Sequence, residues 1–365
     1  MYDVLIIGGG LIGMLTAREL AAGGARVAVL ERGRTGREAS WAGGGILSPL
    51  YPWRFPDPVT ALASWGQPRW RALAEALAED SGIDPEWTPS GLLILDPEER
   101  ETALEWAARS GVRLEAVGAG EAARLEPRLA PAQIDAGRGA LWLDAVAQVR
   151  NSRLVRALRA SLDRRGVEVR EQTEVTGLVV RDGRVEGVNT RAGTLAGATV
   201  LVAGGAWSAR LLADIGLGLE VEPVRGQMLL FRAAPGLVRR IVLSRDRYLI
   251  PRRDGRVLVG STLEYVGFDK GTTEDARGDL YKEALRLIPA LADCEVEHQW
   301  AGLRPGSPTG IPFIGPHPAV RGLFLNTGHF RNGVVLGPAS ARLAADLCLE
   351  RAPILDPRPY APVSD

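Results

Sequence analysis

The sequence predicts an α/β chain, α+β overall, in which a domain built on a parallel sheet joins a second domain built on an antiparallel sheet. Three observations predict it. The amino terminus reads strand, glycine-rich turn, helix, strand; the middle of the chain holds strands paired at Asp-Gly turns; and the tail returns to strand, loop and helix.

Residues 4–7 are a short apolar strand, residues 11–22 carry helical spacing, and residues 26–31 form a second strand of Val, Ala and Leu, which together make a βαβ start. In residues 58–81, Leu62, Trp65, Trp70, Leu73 and Leu77 recur at threes and fours, so one amphipathic helix is expected, its tryptophans in the core or at an oligomer contact. Residues 154–162 repeat that period behind Asn151, read as an N-cap, with Gly166 past the end. Strands follow at 167–171, 175–181 and 184–189, the last two joined at Asp182-Gly183, and a strand at 200–202 runs into Gly204. A β-rich region spans 224–263, with a hairpin at Asp254-Gly255 between 248–251 and 257–259. Residues 323–326 are a strand, 328–337 a loop, and 338–349 a helix with Pro338 in its first turn.

With 365 residues, 46% of them hydrophobic and 24% charged, the chain has enough apolar surface for two cores. Lys+Arg and Asp+Glu both number 44, so no broad field draws nucleic acid or an anionic membrane, and a small-molecule substrate is expected. Lys270 and Lys282 are the only lysines, which leaves little room for Schiff-base chemistry. Cys294 and Cys348 stand far apart and the histidines are His298, His317 and His329, so no metal site is expected; disulfides are not expected either, which suits the cytoplasm. The amino terminus does not read as a signal peptide, and no run reaches the roughly 18 apolar residues of a membrane span.

Gly8-Gly9-Gly10-Leu11-Ile12-Gly13 fits G-x-G-x-x-G between a strand and a helix, which makes the first domain Rossmann-like. Gly8 permits the sharp turn, Gly10 lets backbone meet a pyrophosphate, and Gly13 lets the helix pack on the strand. Glu31 ends the next strand, where its carboxylate accepts ribose hydroxyls. A looser match at residues 118–123 is set aside as a helix start, because no strand with a terminal acid follows it. Residues 39–49 are too glycine-dense for helix or strand; they read as a loop close to a cofactor, with Ser40 offering a hydroxyl to phosphate.

The opening turn, Ala39-Ser40-Trp41-Ala42-Gly43, Gly204-Gly205-Ala206-Trp207-Ser208, Gly302-Leu303-Arg304-Pro305 and Gly328-His329-Phe330-Arg331-Asn332-Gly333 together resemble the D-amino-acid oxidase superfamily, above all its glycine-oxidising branch. The resemblance covers essentially the whole chain. It implies a discontinuous FAD-binding domain of residues 1–80, 145–220 and 301–365, with 81–144 and 221–300 as the substrate domain. It implies FAD against Gly8, Gly10, Ile12, Gly13, Glu31 and Arg32, then Ala39, Ser40, Gly44, Gly45, Ile46, Val175 and Gly204, and finally His329, Phe330, Arg331, Asn332, Gly333, Val334 and Val335. Two departures stand out: Gly43-Gly44-Gly45-Ile46 replaces an Ala-Ala-Gly-Met run, and Asp246 stands where some members carry His. FAD is expected to be non-covalent, because no Cys lies in residues 304–315, where flavin-linking relatives place one.

Arg304 lies among apolar and turn residues, which reads as a buried fork for a carboxylate. Tyr248 opens a strand and could bond the same carboxylate, and Arg331 matches a substrate-contacting position of the resembled branch. No residue reads as an acid or base catalyst, and His329 reads as structural or flavin-facing. The implied chemistry moves hydride from the Cα of a small amino acid or amine to the flavin; water hydrolyses the imine to an oxo acid and ammonia, and oxygen reoxidises the flavin to give hydrogen peroxide. Glycine, going to glyoxylate, is the first substrate expected, with sarcosine, D-alanine and D-proline behind it. The imine would feed thiazole synthesis in thiamine biosynthesis, and a homo-oligomer is implied. Rival readings are a dehydrogenase on the same fold and a non-catalytic FAD-binding protein.

Overall fold

The structure, a computed structural model, describes residues 2–95, 97–133, 139–213, 215 and 218–362. From the amino terminus, β1 (Tyr2–Ile7), α1 (Leu11–Ala22) and β2 (Val27–Leu30) form the βαβ start, and α2 (Ala39–Ala42) is a single turn inside the glycine-dense stretch expected to be loop. Two helices, α3 (Asp57–Gly66) and α4 (Trp70–Ser81), replace the one expected over 58–81. Pro68 has no N–H to continue the ladder, and Gly66 sits where a Cβ would lie 2.8 Å from the Val335 carbonyl oxygen. Trp70 is fully buried in the core.

Next come β3 (Thr88–Pro89), β4 (Leu92–Ile94), α5 (Arg100–Ser110), β5 (Glu115–Val117), α6 (Ala119–Leu125), β6 (Ala140–Leu143) and β7 (Ala147–Gln148). After them, α7 (Asn151–Arg164) leads into β8 (Glu168–Arg170), β9 (Val175–Arg181), β10 (Arg184–Thr190), β11 (Gly193–Val202) and α8 (Ser208–Ala213). The hairpin at Asp182-Gly183 is present, both residues at positive φ. Asn151 is not the N-cap expected of it: Arg150 takes that position, and the Asn151 side chain instead donates to the Ser40 carbonyl oxygen at 2.7 Å. Gly166, at φ 70, does follow the helix end.

The last stretch carries β12 (Glu222–Arg232), β13 (Ile241–Ser244), β14 (Arg247–Pro251), β15 (Val257–Gly260), α9 (Glu274–Leu287), β16 (Glu295–Gly306), β17 (Phe313–Pro316), β18 (Leu323–Thr327) and α10 (Gly333–Cys348). Pro338 lies inside α10, which begins five residues earlier than its expected first turn. The proline removes one ladder bond in the helix interior, and the other residues of the first turns carry the helix past it.

Two sheets organise these strands. The first has the order β17-β18-β11-β1-β2-β8, with β9 and β10 attached through β11. In it β18, β11, β1, β2 and β8 run parallel, so their carboxyl ends share one edge. The second has the order β16-β12-β15-β14-β13-β4-β6-β5 and is antiparallel except where β13 meets β4. Along it side chains alternate between faces. Leu229, Phe231, Leu249 and Val259 pack in one core cluster with Leu280, Ala284 and Leu287 of α9. Met228, Tyr248, Ile250 and Leu258 belong to another cluster, with Ile46 of the glycine-dense stretch. At Gly302 of β16 an added Cβ would lie 2.4 Å from Ala42 Cβ, so a side chain there would push α2 off the sheet. Among the described residues no helix is long and apolar enough to cross a membrane.

Candidate functional site

Parallel strands whose carboxyl ends share an edge leave a crevice where successive connections depart to opposite sides. Here β1 stands between β2 and β11, and the residues just past those ends, Gly8, Glu31 and Gly204, line a single cavity of about 680 Å³, together with His329 just after β18. Its other wall is the second sheet, through Gly226, Met228, Tyr248 and Arg304.

The glycine turn is built for close approach of backbone. Gly8 has φ 111, and a Cβ there would lie 2.4 Å from the Ala203 carbonyl oxygen; one on Gly13 would lie 2.0 Å from the Gly8 carbonyl oxygen. Gly10 caps α1 with no side-chain hydrogen bond, while Ser40 Oγ accepts from the Leu11 N–H at 2.8 Å. Asn332 likewise begins α10 without a side-chain cap, and Gly333 and Val334 of its first turn line the cavity. Two helix N-termini whose cap residues give no side-chain hydrogen bond thus border one cavity, an electrostatic environment that suits phosphate. Glu31 accepts from the Gly9 and Gly33 N–H groups at 2.8 and 2.9 Å, one on each oxygen, which fixes its carboxylate and leaves lone pairs for ribose hydroxyls. A bare turn, a fixed acid after the second strand and two helix ends fit a dinucleotide cofactor.

Arg304 projects from β16 across a gap that Gly226 of β12 leaves open: a Cβ at Gly226 would fall 2.1 Å from Arg304 Nη2. Its guanidinium donates to Ser261 Oγ at 2.7 Å and to the Thr262 carbonyl oxygen at 3.2 Å, both neutral acceptors, and among the described residues no carboxylate lies within ion-pair distance of it. Burial pushes its pKa below the ordinary guanidinium value; Tyr248 opposes that shift, and the positive charge of Arg331 adds to it. Tyr248 is 6% exposed, its hydroxyl 3.4 Å from Met228 Sδ. Arg331 lies 3.9 Å from Asp246, which also faces Arg54 at 3.6 Å, so the aspartate at the departing position joins two arginines.

His329 is 2% exposed and held by Ser340, its Nε2 2.6 Å from the Ser340 hydroxyl. Burial pushes its pKa down to about 3, so the ring is neutral and too weak a base to take a proton from an amine. Of the residues expected at the cofactor, Ile12, Arg32, Ala39, Ser40, Gly44, Gly45, Ile46, Val175, Phe330 and Arg331 also line the cavity, whereas Gly13, Asn332 and Val335 do not. Gly13 packs against the turn, Asn332 caps α10, and the Val335 carbonyl oxygen faces the Trp70 indole N–H at 3.5 Å.

Sequence reasoning missed Thr173 and Glu174, which follow the parallel strand β8, and Gly226 and Met228, which share a face of β12 by the period of two. It also missed Arg252, half-buried with its pKa lowered by burial to about 10, which donates to the Gly44 carbonyl oxygen at 2.8 Å and fixes the glycine stretch from behind. Neither cysteine lines the cavity.

A parallel sheet with this turn, joined to an antiparallel sheet that closes the same cavity, defines a dinucleotide-dependent oxidoreductase. The chain belongs to the FAD dependent oxidoreductase family, whose model matches residues 3–347. Its relatives include a glycine oxidase of Pseudomonas aeruginosa, 53% identical over 98% of each chain, and one of Pseudomonas putida, 50% identical over 99% of this chain and 98% of the other. The crystal structure of glycine oxidase from Geobacillus kaustophilus, 34% identical, superposes with a TM-score of 0.93 over 99% of this chain and 98% of that one.

Proposed function

We propose that this chain oxidises a small amino acid, glycine first, converting glycine, water and oxygen to glyoxylate, ammonia and hydrogen peroxide. The observation that carries the reading is Arg304, a half-buried guanidinium in the cavity wall whose partners are neutral and whose neighbour is Tyr248. FAD, when bound, supplies the two-electron acceptor for the substrate's hydride. Its holders are Gly8, Gly10, Glu31, Ser40, Gly204 and the first turn of α10, within a domain of residues 1–80, 145–220 and 301–365. The substrate domain of 81–144 and 221–300 contributes Tyr248.

Arg304 pairs with the carboxylate and Tyr248 donates to it, so the small substrate is held from one end with its Cα toward the flavin. Met228 and Tyr248 line the cavity together with Arg304. His329, held neutral by burial, is no base for the amine's proton, so the amine must already be neutral when its hydride leaves. The imine leaves for hydrolysis or for thiazole synthesis in thiamine biosynthesis. We assign the chain to the cytoplasm, where Cys294 and Cys348, both unpaired, stay reduced. A homo-oligomer is the assembly we expect.

The test is a peroxide assay of purified protein with glycine, sarcosine, D-alanine and D-proline. Glycine is expected to give peroxide and glyoxylate in equal amounts; substrate bleaching of the flavin without peroxide would make the chain a dehydrogenase, and no bleaching by any of the four would refute the reading. Acid precipitation of the same sample should leave the flavin in solution, since no cysteine reaches the cavity.

A further inference from the structure

Residues 263–271 leave the second sheet after β15 and cross to the first, over the stretch of cavity wall formed by Arg32, Glu38, Trp207 and Arg210. Arg32 and Arg210 are exposed, so this stretch is the mouth of the cavity. Two side chains of the crossing segment reach it. Phe268 meets Trp207 with ring centroids 5.5 Å apart, and the Arg210 guanidinium lies 3.7 Å over the Phe268 ring. The Arg32 guanidinium also lies over the Trp207 ring, at 3.9 Å, so Arg32, Trp207, Phe268 and Arg210 form a chain of cation, arene, arene and cation beside the mouth. Lys270 reaches Glu38 at 2.9 Å, and Glu38 also meets Arg32 at 3.2 Å. Behind the segment, the buried Arg225 holds Glu264, Asp269 and the Gly271 carbonyl oxygen, which anchors the strap to β12.

We propose that this segment is a strap that retains FAD, with Phe268 and Lys270 as its two catches on the first sheet. The inference rests on the reading that FAD fills the cavity with its ribose at Glu31, beside Arg32. Trp207 and Arg32 belong to the cofactor's side of the mouth and Phe268 and Lys270 to the other sheet, so the adenosine end leaves only after these contacts part. An aromatic pair, a cation over an arene and an ion pair each contribute a small multiple of thermal energy, and together they slow release substantially.

The test measures FAD release after dilution of the holoenzyme into a large excess of an apoprotein that takes up FAD, followed by flavin fluorescence. Phe268→Ala with Lys270→Ala is expected to release FAD roughly tenfold faster than the parent, the product of two modest losses. Phe268→Tyr should restore most of the slow phase, and Thr272→Ala, an exposed position at the end of the strap, should match the parent. A double variant that folds, binds FAD and releases it at the parental rate would overturn the strap while leaving the FAD reading intact. A parent that binds no FAD would refute the reading beneath it.

Discussion

At the scale of the residue, Arg304 illustrates what neighbours in sequence reveal. Leu303, Pro305 and Gly306 around it have no use for a solvated cation, and in the structure its guanidinium lies half-buried over Gly226 with only neutral acceptors. Glycine offers a carboxylate and an amine and nothing else to hold, so loss of a bidentate pair in such a place costs about 3 to 5 kcal/mol. Arg304→Ala is expected to lower kcat/KM for glycine a hundredfold or more with FAD content unchanged, and Lys there to restore only part, since an ammonium lacks the fork. Unchanged kcat/KM in the Ala variant would move the carboxylate anchor to Arg331. Asn151 shows the opposite case. Its place ahead of an apolar run reads as a cap, yet its amide is spent on the Ser40 carbonyl, a partner 111 positions away that no local pattern reveals.

At the scale of the element, the first turn was legible because each glycine has a steric reason that spacing alone exposes, and the acid after β2 follows from where a ribose must lie. Other elements were decided by packing. The apolar period of residues 58–81 runs unbroken through Pro68, but the backbone cannot, and two helices result. The start of α10 was hidden because residues 333–337 are glycine, valine and leucine, poor evidence for either a loop or a helix until the cavity and core are present. Glu31 belongs to this scale, since one carboxylate serves the turn after β1 and the end of β2 together. Glu31→Ala is expected to weaken FAD by roughly 1 to 3 kcal/mol through lost charge-assisted hydrogen bonds, measured by titrating apoprotein with FAD. Equal affinity in the variant would mean that the ribose is held elsewhere.

At the scale of the whole molecule, the cavity exists because two sheets meet, and the elements beneath it are joined by polar groups that the core must keep neutral. His329 bonds Ser340 of α10, Ser340 donates to Asn326 of β18 at 3.1 Å, and the Asn326 amide donates to Thr16 of α1 at 3.1 Å. Burial lowers the His329 pKa from 6.5 to about 3, so between those values the unfolded chain binds a proton that the folded chain refuses. The unfolded state therefore gains as pH falls, and stability is lost from pH 6.5 downward at about 1.4 kcal/mol per unit. His317, also lowered by burial, acts in the same direction. Carboxylates held below their ordinary range, such as Glu297 at about 2 beside Arg256, add to the loss only once pH approaches 4.5. Glu126, pushed above its ordinary value by burial, works the other way and gains stability as pH falls, so the histidines are partly offset between pH 6.5 and 5, where the share of His329 is a loss of about 2 kcal/mol. Chemical unfolding of the FAD-free protein at pH 7.5 and 5.0 is expected to show that loss, and His329→Gln, uncharged at both, to show a correspondingly smaller one. If parent and variant lost stability equally over this interval, His329 would have to take up its proton in the folded protein as readily as in the unfolded chain, and the slope would have to come from other groups.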